Sequence, residues 1–101
     1  MLNTEKMLTI GKEWINGNNH RIYFNDLAKL LGLVVEKYNT GSISYAELNG
    51  QKISNSSASK MISNLYYAKV WFDFTTEKFE SKNISSDDFN TIVEKIKEIA
   101  E

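Results

Sequence analysis

Three times along this 101-residue chain the apolar residues change their spacing, from every second position to the i, i+3, i+4 stripe of a packed helix. A turn signal precedes each change: Asn16-Gly17-Asn18-Asn19, then Asn49-Gly50, then Thr75-Thr76-Glu77-Lys78. Asn-Gly is the strongest of these, because a tight two-residue hairpin turn needs positive φ at both central positions. Strand period on both sides of a turn, then helix period, predicts a β-hairpin followed by an amphipathic helix. The chain is therefore expected to be α+β, with three hairpins forming one or two antiparallel sheets and a helix after each hairpin covering one sheet face. The cycles share a plan and no detectable sequence identity, so no true repeat is implied.

The boundaries follow from local chemistry. Residues 1–6 are polar and expected to fray. Strand one is placed from Leu8 to Ile15 and strand two from His20 to Phe24, where His20, Ile22 and Phe24 alternate with Arg21 and Tyr23. Asn25 is a good N-cap, with Asp26 near the positive helix end. Leu27, Leu30, Leu31, Val34 and Tyr38 then make a helical stripe, read as a helix through Tyr38 that ends at Asn39-Thr40-Gly41. Gly32 interrupts it, and Val34-Val35 favour β structure, so a strand over Leu33–Tyr38 stands as the alternative. In the second cycle Ile43, Tyr45 and Glu47 face one way and Ser44, Ala46 and Leu48 the other; Ser54 or Asn55 then caps a helix carrying Ala58, Met61, Ile62 and Leu65. The third cycle is Lys69 to Phe74, a return through Phe79-Glu80, and a helix capped by Ser85 and striped with Phe89, Ile92, Val93, Ile96 and Ile99. No linker divides the chain, so residues 1–101 are expected to form one domain.

Composition narrows the function classes. There is no cysteine, so disulfides and thiolate metal sites are excluded and a reducing cytosol fits. A formal charge of -1 lacks the basic excess of a general nucleic-acid binder and the acidic excess of a DNA mimic. No apolar run reaches the roughly 18 residues of a membrane span, and Met1 to Lys6 lead into no signal-type core. A cytoplasmic protein without a membrane partner is the expectation.

Catalytic equipment is sparse. His20 is the single histidine and has no Ser-His-Asp or Cys-His set around it, so it reads as structural. No glycine-rich phosphate motif occurs, and no cofactor is expected. Asp73 with Glu80-Ser81-Lys82 has the residue types of an acid…acid-x-lysine metal nuclease, in which two carboxylates hold a cation and the lysine helps activate water. Cross-strand charge pairing on an exposed hairpin accounts for the same residues. Asp87-Asp88 in a first helical turn complement the helix dipole, and Ser54-Asn55-Ser56-Ser57 are cap residues before they are an anion nest. The expectation is a protein without enzymatic activity.

The aromatics are the better lead. If Val70, Phe72 and Phe74 face the core, Trp71 lies on the other face with Asp73 and needs a cover. Tyr23 and Tyr45 add to such a surface, and Tyr, Trp and Arg dominate protein interfaces. Arg21, Tyr23, Tyr45, Lys69 and Trp71 are therefore the predicted partner-binding residues. A second helix layer or a homodimer is the competing cover for Trp71. Stacking of single-stranded bases is a further reading, which the acidic pI disfavours.

Four segments carry a resemblance: Arg21-Ile22-Tyr23-Phe24-Asn25-Asp26-Leu27, Thr40-Gly41-Ser42-Ile43, Leu48 to Ser56, and Lys69-Val70-Trp71-Phe72-Asp73-Phe74. Together they resemble small proteins of phages and mobile elements in Gram-positive bacteria, of the anti-CRISPR kind. The resembling motifs are turns and caps, spread over residues 20–80. The resemblance implies a stoichiometric inhibitor that docks on a Cas effector nuclease inside a bacterial host; the alternative is a small nucleic-acid-binding regulator.

Overall fold

A computed structural model describes residues 2–101. The architecture is α+β, with two antiparallel sheets. Along the chain run α1 (Thr4–Leu8), β1 (Gly11–Asn16), β2 (Asn19–Phe24), α2 (Leu27–Leu30), β3 (Leu33–Lys37), β4 (Ile43–Leu48), β5 (Gln51–Lys52), α3 (Asn55–Asn64), β6 (Lys69–Asp73), β7 (Lys78–Lys82) and α4 (Ser86–Ala100). The first and third hairpins join edge to edge in a four-stranded sheet, ordered β1-β2-β6-β7. The middle unit forms its own sheet, β3-β4-β5. The plan of three hairpins each followed by a helix is met roughly, because the middle unit is a three-stranded meander.

The N-terminus differs from expectation. Asn3 accepts from the Lys6 N–H and caps α1, its own N–H donates to the Ala100 carbonyl at 2.7 Å, and Met7 is buried. Of the residues expected to fray, Asn3 to Lys6 are thus tied into α1 and to the other end of the chain, while Met1 lies outside the described residues. Strand one starts at Gly11 rather than Leu8, since Leu8 still belongs to α1.

The second difference is at Gly32. The helix predicted through Tyr38 ends after a single turn, with Leu31 as its C-cap, and the chain leaves through Gly32 at a φ of +97° into β3. The strand alternative is the one the chain adopts. Asn25 is not the cap either: Asp26 holds that position at a left-handed φ of 50°, and its side chain caps nothing among the described residues. The Asn25 N–H instead donates to Ile10 O, tying the end of β2 to the start of β1.

The other elements follow their local signals. Ser54 accepts from the Ser57 N–H and Ser85 from the Asp88 N–H, opening α3 and α4. Asn49 and Gly50 both take positive φ in the β4–β5 turn. Ile22 and Phe24 from β2 and Val70 and Phe72 from β6 meet Met7, Leu27, Leu30, Leu31, Ile92, Ile96 and Ala100 in the main core. Each fully buried isoleucine there contributes about 1.5–3 kcal/mol of apolar burial. A smaller core of Leu33, Ala46 and Ala58 lies between the second sheet and α3, with Met61 touching both. All the helices of the main core therefore pack on one face of the four-stranded sheet.

Candidate functional site: the open face of the four-stranded sheet

Alternation along β2 and β6 divides their side chains. Ile22, Phe24, Val70 and Phe72 point into the core, so Arg21, Tyr23, Lys69, Trp71 and Asp73 point out. Pairing then fixes the neighbours across strands: Trp14 opposite Arg21, Lys12 opposite Tyr23, Arg21 opposite Asp73, Tyr23 opposite Trp71, and Trp71 opposite Glu80. Directly opposed residues share a face. The outer face thus carries two transverse rows, Trp14-Arg21-Asp73-Lys78 and Lys12-Tyr23-Trp71-Glu80, with Lys69 and Lys82 paired beyond them.

Arg21 is the centre of this face. Its guanidinium carbon lies 5.6 Å from the centroid of the Trp14 ring and 5.1 Å from that of Trp71, within cation–π range of both. Its Nη1 donates to the Tyr23 hydroxyl at 3.0 Å. Tyr23 stands edge-on to Trp14 at 6.1 Å and tilted against Trp71 at 5.5 Å. The Tyr23 hydroxyl holds the guanidinium above its already high ordinary pKa, against burial and with help from Asp73 and Glu80. Arg21 therefore remains a cation wherever the protein is folded.

Asp73 has a local task. Its Oδ1 accepts from the N–H groups of Thr75 and Thr76 at 2.8 and 3.3 Å, closing the β6–β7 turn, and its Oδ2 lies 3.6 Å from Arg21 Nε. Burial opposes ionisation here, but the two amides and Arg21 outweigh it and hold the carboxyl below its ordinary range. Two donors in the cluster, Arg21 Nε and Trp71 Nε1, are out of water with no hydrogen-bond partner among the described residues. Unpaired buried donors are rare because each costs its desolvation. The face keeps them within a layer of aromatic rings.

Four of the five predicted partner-binding residues, Arg21, Tyr23, Lys69 and Trp71, are brought together here. Tyr45 is not among them. It lies on β4 in the other sheet and donates to Glu47 Oε2 at 3.0 Å, which together with burial and the charge of Glu36 raises its phenol pKa. No family model, curated protein or solved structure matches this chain.

Trp14 is the member that sequence reasoning missed. The signal was present: a two-residue turn at Gly17-Asn18 sets Asn16 against Asn19 and hence Trp14 against Arg21. Asp73, Glu80 and Lys82 also lie on this face, but the Asp73 carboxylate is occupied by the turn and by Arg21. Among the described residues no three His, Cys, Asp or Glu side chains gather as metal ligands. His20 stacks on Phe74 with centroids 4.1 Å apart, and its Nε2 lies 2.7 Å from Glu13 Oε2. No helix among the described residues is long and apolar enough to cross a membrane.

The arrangement can bind. It offers flat aromatic area, a fixed cation between rings, and a lysine fringe of Lys12, Lys69, Lys78 and Lys82 against only Asp73 and Glu80. The chain as a whole is slightly negative, so this face is a local reversal of sign.

Proposed function

We propose that the protein is a binding module that acts by stoichiometric contact, docking a protein partner on the open face of the four-stranded sheet, and that the partner is a Cas effector nuclease whose cleavage it blocks. The observation that carries the docking is the layer of Trp14, Arg21, Tyr23 and Trp71, which belongs to neither apolar cluster and lies on the sheet face away from the main core. Trp, Tyr and Arg are the types that concentrate binding energy at interface centres. The lysine fringe favours an acidic patch on the partner. The choice of a Cas effector rests on the resemblance of residues 20–80 to small anti-CRISPR proteins of phages.

The test mixes purified protein with guide-loaded Cas effectors and follows both capture and DNA cleavage. One effector is expected to be captured and inhibited, with Trp71→Ala and Trp14→Ala each abolishing both effects and Tyr45→Phe leaving both intact. Failure to bind or inhibit any effector overturns the assignment of partner. Inhibition that survives both tryptophan variants overturns the assignment of face.

The basic fringe supports a second reading. Aromatic rings on adjacent strands with lysines around them suit stacked bases of a single strand. Gel shift with single-stranded DNA separates the two, since binding through phosphates weakens steeply as salt rises.

A further inference from the structure

The three-stranded sheet has an edge that the fold leaves open. Among the described residues β3 pairs with β4 alone. The Asn49 N–H donates to Gly32 O across the Leu33–Leu48 pair, which makes Leu33–Leu48 and Val35–Ala46 the pairs without mutual hydrogen bonds. Ile53 N donating to Ala46 O from the far side agrees with that alternation. The N–H and C=O of Leu33 and Val35 therefore point away from β4. Among the described residues no other backbone hydrogen bond reaches them. Leu33 is only 5% exposed, so Val35, half-buried, is the more accessible of the two.

Beside this edge runs a groove of about 650 Å³, walled mainly by apolar residues, Val34, Val35, Phe24, Ile62, Leu65 and Tyr66 among them, with Asp26 and Lys29 also in its lining. Three of its large apolar residues are exposed: Val34 at 50%, Ile62 at 38% and Tyr66 at 77%. The other sheet edges are protected in the usual ways. β1 carries Lys12 and Glu13, β7 carries Lys78, Glu80 and Lys82, and β5 is two residues long. Leu33-Val34-Val35 has neither charge nor proline, and Glu36-Lys37 with their register shift come only at the far end.

The geometry points to β3 as a strand-addition site: an extended segment of a partner protein lies in the groove and pairs its main chain with Leu33 and Val35. Outward N–H and C=O groups in a row select an extended backbone, because a helix has its own donors and acceptors already paired along its length. The mainly apolar walls select apolar side chains at positions two apart on that segment. This site is on the second sheet and goes beyond the proposed function, on which it does not rest.

The experiment selects binders from a displayed random-peptide library, then measures the synthetic winner against the parent and two variants. Val35→Pro removes a donor that the β3–β4 ladder does not use, so the fold is kept while strand addition is blocked. Tyr66→Lys puts a charge into the groove at a mostly exposed position, leaving the edge unaltered. The winning peptide is expected to be apolar at alternate positions, and each variant to weaken it on the order of tenfold or more. Amide exchange measured by NMR is expected to be fast at Val35 in the free protein and slowed when the peptide is added. No enriched peptide, or a peptide bound equally by Val35→Pro, overturns the site. Protection of Val35 that grows with protein concentration alone overturns the occupant in favour of a second copy of this chain.

Discussion

Replacing Gly32 with alanine probes how the chain turns from helix to strand. Gly32 lies between the C-cap of α2 and the first residue of β3 at a φ of +97°, and its carbonyl takes the Asn49 N–H at 2.9 Å, which sets the register of β3 on β4. A left-handed backbone costs an L-residue roughly 1–2 kcal/mol. The new Cβ would also run into the Asn49 side-chain carbonyl, with Asn49 Cγ at 2.9 Å. That side chain is short and rotatable, so it escapes by leaving its rotamer at a cost of about 0.5–1.5 kcal/mol. Alanine recovers about 0.4–1 kcal/mol by stiffening the unfolded chain. The net expectation is a loss of about 2 kcal/mol, which lowers the midpoint of thermal unfolding by roughly 10–15 °C in a chain of this size. Circular dichroism melts measure it directly. In an Asn49→Gly background, which keeps the positive φ of the turn, the collision is gone and the cost of Gly32→Ala should fall to about 1 kcal/mol. A Gly32→Ala protein as stable as its parent would refute the reasoning, because it would mean the backbone at 32 can run helical.

Two further perturbations address the core and the turn. Ile92 is fully buried between α4 and the four-stranded sheet, so Ile92→Ala should cost about 2–4 kcal/mol in urea unfolding, and a cost under about 1 kcal/mol would contradict the docking of α4. Asp73 has its carboxyl held below the ordinary range, so its contribution to stability is present above about pH 4 and is lost as pH falls through the folded-state pKa. Asp73→Asn should therefore be less stable than the parent at neutral pH, with the gap closing in acid; a gap that stays constant down to about pH 2 would contradict the assignment.

How much was legible follows the range of the interactions. The α4 stripe, the Ser54 and Ser85 caps and the Asn49-Gly50 turn depend on residues within a few positions of one another, and each forms where its local chemistry points. The helix over Leu27 to Tyr38 misled because its stripe also fits one turn of helix followed by a strand: Leu27, Leu30 and Leu31 fill the main core, while Leu33 fills the second. The β3–β4 pairing decides between them, and that pairing is not local. The same holds for α1, whose five residues are held by Met7 burial and by Asn3 reaching Ala100. At the site, alternation and turn length put Trp14, Arg21 and Tyr23 on one face. That Trp71 joins them and Tyr45 does not depends on β2 pairing with β6, a contact between the first and third hairpins.

The central claim is that a partner docks on the open face, and the chain carries its own reporters there. Its two tryptophans, Trp14 and Trp71, both lie on that face, each within 6 Å of the Arg21 guanidinium. Fluorine NMR of protein labelled with 5-fluorotryptophan, titrated with unlabelled guide-loaded Cas effectors alongside a cleavage assay, reads the face without substitution. The account predicts that both resonances shift or broaden with the effector whose cleavage is blocked. Two resonances unmoved while cleavage is inhibited, or unmoved by every effector, would contradict it.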